Sequence, residues 1–174
     1  MPRLRAPIQS PPGVSYQPFG VQSMPNPRLR DVVEWMRKFA HQNKAAMRPL
    51  VEEICRDVAP GDYASEALAI YHWVCKNIRY MRDVQNVEYL QQPTALLKTR
   101  AGDCDDIACL IASMLMACGN QAAFTLMGFS AAPVPSHVFC SVLTPNGPVP
   151  LDPVANRQTA AMFRQSTHKL VVPV

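Results

Sequence analysis

One helix, predicted over residues 104–118, restricts the possible folds more than any other part of the sequence. Its 3.6-residue period gives an apolar face, and the remaining faces are apolar as well, so that almost every position from 107 to 118 is an aliphatic, sulfur-containing or small residue. A helix that is apolar all round must be buried at the centre of a domain. Asp103 is suited to cap its N terminus, Asp106 to return the bond of a capping box, and Gly119 to end it.

The segments before this helix are also helical in their periodicity. Apolar residues three and four positions apart between 29 and 40 predict a first helix. Pro49 predicts the first turn of a separate short helix that runs to about Val58. After the break at Pro60 and Gly61, Asp62 predicts the cap of a helix that runs to about Tyr80, followed by a polar loop over 81–92.

After Gly119 the pattern changes to that of strands. Strands are predicted over 122–129, 137–143 and 149–152, with a turn at 145–148 that makes a hairpin of the last two. The order is therefore helices, one buried helix and then an antiparallel sheet. This order predicts a single α+β domain.

The formal net charge of +4 belongs to the beginning of the chain. Arg3, Arg5, Arg28 and Arg30 stand there with no acidic residue, whereas residues 31–174 balance at thirteen basic and thirteen acidic side chains. Seven of the seventeen prolines also precede residue 28. We predict an extended, basic, proline-rich arm over 1–27, a domain over 28–155 and a C-terminal tail over 156–174. The composition of the arm fits either a disordered tail or a segment that another surface holds in place.

Several classes of protein are not expected from this sequence. No apolar run reaches the roughly 18 residues of a membrane span, and no apolar signal core follows a basic start. We therefore expect a protein that is not secreted through a signal peptide and is cytoplasmic or associated with a virion. None of the six cysteines forms a CxxC pair, and His137 and Cys140 point to opposite faces of a strand, so no metal site and no cofactor are expected.

Cys104 is the candidate nucleophile, because the first turn of a helix favours a thiolate. The neighbouring aspartates oppose that effect, so a nearby cation is needed, and His137 is the candidate. Two residues that lie opposite each other in the predicted hairpin have residue numbers that add up to 291 or 292. The numbers of His137 and Asp152 add up to 289. They are thus about one register step apart, which predicts that Asp152 orients the imidazole of His137.

Three segments in order carry a resemblance to a known family. GDCDDIA at 102–108, SHVF at 136–139 and PLDP at 150–153 resemble the transglutaminase-like superfamily of cysteine enzymes, in particular its bacterial and phage branch, over about residues 60–155. The resemblance implies a papain-like fold with a helix that carries the cysteine and a sheet that carries histidine and aspartate. It also implies Cys104 as nucleophile, His137 as general base and Asp152 as the orienting carboxylate.

The sequence departs from this branch just before the cysteine. The branch often has a Trp-x-x-Pro-x-Glu segment, and residues 90–95 read LQQPTA here, without the Trp and the Glu. Gln91 or Gln92 is expected to help form an oxyanion hole beside the backbone N–H of Cys104.

The sequence leaves two function classes open. The first is a thiol hydrolase, a peptidase or amidase with a protein or peptide-like substrate, since no acidic loop suggests calcium-dependent cross-linking. The second is a structural or assembly component of a phage particle, with residues 1–27 as a tether to other phage structural proteins. No membrane is expected as a partner, since no apolar run is long enough to span one. A nucleic acid is not expected either, because arginines on an arm make only non-specific phosphate contacts.

Overall fold

The computed structural model describes residues 21–24, 29–82, 88–129, 135–154 and 165–174. The helices and strands confirm the predicted α+β class. In chain order they are β1 (Val21–Met24), α1 (Leu29–Ile54), α2 (Tyr63–Asn77), β2 (Arg79–Tyr80), β3 (Glu88–Gln91), α3 (Pro93–Thr99), β4 (Ala101–Gly102), α4 (Cys104–Ala117), β5 (Ala122–Gly128), β6 (His137–Thr144), β7 (Gly147–Leu151) and β8 (His168–Pro173).

The helix that is apolar on all sides is α4, and it is enclosed as predicted. Every residue from Asp105 to Leu115 is buried. The helices α1, α2 and α3 pack on some of its sides, and the strands β5 and β6 pack on another. Asp103 caps its N terminus in a capping box with Asp106, and Gly119 follows its C terminus with a φ of +91°.

The helix α1 is one continuous element, so the separate helix predicted to start at Pro49 is wrong. Buried residues recur at three- and four-residue spacing from Met36 to Val51, and Pro49 lies on the exposed side. An interior proline removes one backbone hydrogen bond at a cost of about 3 kcal/mol. The apolar face that α1 buries against α4 extends through this position, and that burial keeps the helix intact.

The helix α2 is capped by Asp62 as predicted, since the Asp62 carboxylate accepts a bond of 3.1 Å from the Ser65 N–H. It ends at Asn77 and not at Tyr80, because β2 begins at Arg79 and pairs in parallel with β4. The Arg79 N–H donates to the Arg100 carbonyl, and the Met81 N–H donates to the Gly102 carbonyl. This short pairing ties the end of α2 to the segment that leads into α4.

The main sheet has four antiparallel strands in the order β7-β6-β5-β8. The predicted hairpin has the expected register, because Cys140 pairs with Leu151 and the two numbers sum to 291. The strand β8 was not predicted and comes from residues assigned to the C-terminal tail; it pairs with β5 along its whole length. Within the described ranges, no helix has both the length and the apolar character needed to cross a bilayer.

The edge strand β7 contains two prolines at alternate positions. Pro148 pairs with Leu143 and Pro150 pairs with Ser141. Because a proline nitrogen carries no hydrogen, these positions belong to the non-hydrogen-bonded pairs of the ladder, and their nitrogens face away from β6.

A second, two-stranded sheet joins parts of the chain that were predicted to be arm and loop. The strand β1 pairs antiparallel with β3, with Val21 opposite Gln91 and Met24 opposite Glu88. The rest of the predicted arm, residues 1–20 and 25–27, and part of the predicted loop, residues 83–87, lie outside the described residues.

The enclosure of α4 predicts the effect of a truncation at its centre. Leu110 is 0% exposed, so Leu110→Ala should lower the free energy of unfolding by about 3 kcal/mol, because the cavity cannot collapse fully. Urea denaturation measures the change. Leu68→Ala removes the same atoms from a side chain that is 51% exposed and should change the free energy by about 0.5 kcal/mol or less. Equal losses in the two variants would contradict the central position of α4.

Candidate active site

Cys104 is the first residue of α4 and is half-buried. The Asp103 carboxylate accepts from the Asp106 N–H, and the Asp106 carboxylate accepts from the Asp103 N–H at 3.3 Å. Both bonds of the capping box thus enclose Cys104 in the turn between them. The unpaired N–H groups of a helix N terminus favour negative charge, which suits a thiolate at this position.

His137 and Asp152 come from the same end of the β6–β7 hairpin. His137 is the first residue of β6, and Asp152 directly follows β7. His137 Nε2 lies 2.8 Å from Asp152 Oδ2, with the two side chains 9% and 1% exposed. The predicted approach of these two residues is therefore present in the structure.

The position of Cys104 relative to this pair follows from the direction of α4 along β6. The Leu143 N–H, near the end of β6, donates to the carbonyl of Gln121, just beyond the end of α4. The strand β5 follows α4 after a short turn and pairs antiparallel with β6, and α4 packs on both strands, so we expect α4 to run in the direction of β6. The path from residue 104 to 118 is about 21 Å of helix, and the path from 137 to 143 is about 20 Å of strand. We therefore expect Cys104 and His137 at the same end of the packed pair.

Asp152 is held on three sides. Its Oδ2 contacts His137, its Oδ1 accepts a bond of 3.1 Å from the Val154 N–H, and its carbonyl accepts a bond of 3.4 Å from the Tyr71 hydroxyl. Burial, followed by the hydrogen bond with Cys75, raises the pKa of Tyr71 to about 12, so this hydroxyl keeps its proton and remains a donor. Tyr71, on α2, thereby fixes the backbone of Asp152.

Gln91 and Gln92, the residues predicted for an oxyanion hole, occupy different environments. Gln91 Nε2 donates to Asp106 Oδ2 at 2.8 Å and to the Ala101 carbonyl at 3.1 Å, so both of its amide hydrogens are used within the protein. Gln92 is the N-cap residue of α3, and its side chain makes no capping bond there. In this structure the side-chain amide of Gln91 is therefore not available to an oxyanion. Gln92 remains the candidate for the oxyanion hole.

The acidic residues around Cys104 serve the helix terminus. Oxygen atoms of Asp103, Asp105 and Asp106 lie within 4.8 Å of one another, and they are the donor type that a hard cation would need. In this structure they accept from the backbone: Asp103 and Asp106 exchange the capping-box bonds, and Asp105 Oδ1 accepts from the Asp106 N–H at 2.8 Å. We therefore assign the three carboxylates a structural role.

The five other cysteines all have a pKa above the ordinary value. Burial raises the pKa of the Cys55 thiol to about 11 and also raises the pKa of Cys75, Cys118 and Cys140. Burial, together with the charges of the nearby aspartates, raises the pKa of Cys109 well above its usual range. At neutral pH these five thiols are therefore protonated.

Sequence reasoning missed the contacts of Tyr71 with Asp152 and of Gln91 with Asp106. The first joins residues 81 positions apart, and the second joins residues 15 positions apart in different elements. No periodicity or motif spacing marks either pair, since both depend on how elements pack.

Known proteins resemble this chain at the level of family and fold. The transglutaminase-like superfamily model matches residues 50–153, and none of the curated proteins matches the sequence. A solved structure described as a "putative cysteine protease" from Cytophaga hutchinsonii is 18% identical with a TM-score of 0.49; the match covers 83% of this chain and 55% of that one. A "putative protease" from Parabacteroides distasonis is 12% identical with a TM-score of 0.53, with 70% and 26% covered. The chain thus spans about half of the first structure and about a quarter of the second.

The buried carboxyl of Asp106 predicts a pH dependence of stability. Burial, only partly offset by the hydrogen bonds from Gln91, raises the pKa of Asp106 to about 7, against 3.8 for a free side chain. Between these values the folded state keeps a proton that the unfolded chain has released. The free energy of unfolding should therefore fall by a few kcal/mol as the pH rises from about 4 to about 7, and then level off.

Urea denaturation at several pH values compares the wild type with Asp106→Asn, which should lack this part of the slope. Asp57→Asn removes an exposed carboxylate and is the matched control, whose slope should follow that of the wild type. An unchanged slope in Asp106→Asn would show that the proton is not taken up at Asp106.

Proposed function

The chain belongs to the transglutaminase-like superfamily, and from this premise we propose that it is a cysteine-dependent acyl-transfer enzyme, a thiol hydrolase of peptide or amide bonds. In this proposal Cys104 is the nucleophile, His137 the general base and acid, and Asp152 the residue that orients the imidazole. The observation that carries the proposal is the 2.8 Å contact between His137 and a nearly inaccessible Asp152. Such a pair is what a helix-terminal thiol needs in order to act as a nucleophile.

The contact with Asp152 determines which imidazole nitrogen takes part. Because Nε2 of His137 faces Asp152, Nδ1 is the nitrogen left to exchange a proton with Cys104. His137 takes the thiol proton, and the sulfur attacks the substrate carbonyl carbon to give a tetrahedral oxyanion. The C–N bond then breaks as His137 protonates the leaving amine, and a thioester remains on Cys104.

Water completes the cycle in our proposal. His137 removes a proton from the water as its oxygen attacks the thioester, and the thiolate leaves and recovers the proton as the carboxylic acid departs. The backbone N–H of Cys104 and the side chain of Gln92 are our candidates for the oxyanion donors, since Gln91 donates both amide hydrogens elsewhere. A protein or peptide is the substrate class we propose.

The alternative function, a scaffold of a phage particle with a tether at residues 1–27, gains no support from the described part of the chain. The one described stretch of that arm, β1, pairs with β3 of the same chain. We therefore propose the enzyme alone.

The proposed nucleophile predicts selective labelling at neutral pH. Cys75 is the one exposed thiol among the other five cysteines, so Cys75→Ser provides the background for the test. In this background iodoacetamide at pH 6.5 should modify Cys104, and Cys104→Ala should remove the label, as measured by mass spectrometry of peptides. p-Nitrophenyl acetate should likewise leave one acetyl group on Cys104 and release nitrophenol beyond one equivalent. Equal labelling of the two proteins would refute the assignment.

The proposed pairing of His137 with Asp152 predicts a shift in the pH–rate profile of Cys104 alkylation. His137→Ala should move the midpoint of the profile up to that of an ordinary cysteine, about 8.5, because the thiolate loses its cation. Asp152→Asn should move it in the same direction by less. His41→Ala removes an exposed histidine from α1 and should leave the profile unchanged. If His137→Ala has the wild-type profile, His137 is not the base.

A further inference from the structure

We propose that Gln91 and Asp106 form a clamp that positions Cys104, so that both are positioning residues of the reaction proposed above. This inference rests on the proposed function for its catalytic meaning and on the contacts of the two side chains for its physical basis. It gives Gln91 a role different from the oxyanion role expected from the sequence.

The Asp106 carboxylate is the centre of the clamp. It is 1% exposed and accepts three hydrogen bonds: at Oδ1 from the Gln91 N–H at 2.6 Å, and at Oδ2 from Gln91 Nε2 at 2.8 Å and from the Asp103 N–H at 3.3 Å. Two of these bonds come from one residue, through its backbone and its side chain together. A carboxylate gripped at both oxygens has little freedom to rotate.

Gln91 is fixed as firmly as the carboxylate it holds. Its Nε2 also donates to the Ala101 carbonyl at 3.1 Å, and its Oε1 accepts from the Thr99 hydroxyl at 3.0 Å. Both hydrogens and the oxygen of the amide are therefore engaged. The side chain joins β3, the end of α3 and β4 to the third residue of α4.

The backbone of Gly102 packs directly against the Asp106 carboxylate. A Cβ atom at this position would lie 2.5 Å from Asp106 Oδ2 and 2.8 Å from Leu96 Cδ1. The carboxylate thus occupies the space that any other residue would fill. The glycine of the GDCDD segment is explained by this close approach and not by an unusual φ, since Gly102 is not among the residues of positive φ.

Cys104 lies within the loop that the clamp closes. Asp103 on one side gives its N–H to Asp106, and Asp106 on the other side is held by Gln91. The clamp therefore fixes the first turn of α4, which sets both the direction of the Cys104 sulfur and that of the Cys104 N–H. A displacement of about 1 Å at such a position is enough to slow a reaction on the order of a hundredfold.

The substitution Gln91→Glu tests the clamp, because it places a second carboxyl against that of Asp106 with little change in shape. At acid pH the two carboxyls can share a proton and keep the contact. At alkaline pH both are charged and repel each other. The acylation rate of Cys104 by p-nitrophenyl acetate, divided by the wild-type rate at the same pH, should be near one at pH 5.5 and fall on the order of tenfold or more by pH 8.5.

A matched control makes the same chemical change elsewhere. Gln121→Glu alters an exposed glutamine beyond the opposite end of α4, and its ratio should stay near one at every pH. If the ratio for Gln91→Glu does not vary with pH, whatever its level, the inference is overturned, since a merely structural defect would lower the rate at all pH values. Circular dichroism at both pH values verifies that the variant is folded.

A second readout does not depend on catalysis. Hydrogen exchange of the peptide that contains residues 102–106 should be faster in Gln91→Glu than in the wild type at pH 8.5 and equal to it at pH 5.5. If the wild-type Cys104 is not acylated at all, the proposed function fails, and the exchange result still decides the clamp. If Gln91→Glu and the wild type exchange at the same rate at pH 8.5 as well as at pH 5.5, the clamp is refuted.

Discussion

The whole structure depends on the need to remove every side of α4 from water. One layer of protein is enough to bury a helix that has a single apolar face, but α4 has to be covered on all sides. Helices cover some of these sides and strands cover another; they are α1, α2, α3, β5 and β6. Its N terminus cannot be solvated freely in that position. The Asp103 and Asp106 carboxylates replace water there, and this leaves Cys104 at the boundary between the core and the surface.

The burial of α4 also bears on the proposed site. The helix packs on β5 and β6, and β5 pairs antiparallel with β6, so we expect the start of the helix and the start of β6 at one end of the domain. The hairpin then returns Asp152 to His137, and Tyr71 fixes Asp152 from α2. Each side chain of the proposed site is thus carried by an element that the core already holds rigid.

The features that could be predicted from the sequence are those set by local rules. The capping box, the extent of α4 and the register of the hairpin follow from spacing, and they led to the proximity of His137 and Asp152. The continuity of α1 through Pro49, the strands β3 and β8 and the contact of Gln91 with Asp106 depend on packing between distant segments. Gln91 or Gln92 was expected at an oxyanion hole from the resemblance of residues 90–95 to the family's segment, but a sequence pattern cannot reveal which acceptor an amide meets.

The two prolines of β7 limit how an extended peptide can reach the proposed site. Peptides are often bound by adding a strand to an exposed sheet edge, which requires alternating donors and acceptors along that edge. The backbone nitrogens and carbonyls of Pro148 and Pro150 point away from β6, so at these two positions the outer edge of β7 offers carbonyl oxygens without N–H groups. Although β7 leads directly to Asp152, it cannot capture a substrate main chain as a further strand. In the function that we propose, a peptide that lies along this edge would therefore be recognised through its side chains, and the selection would depend on its sequence.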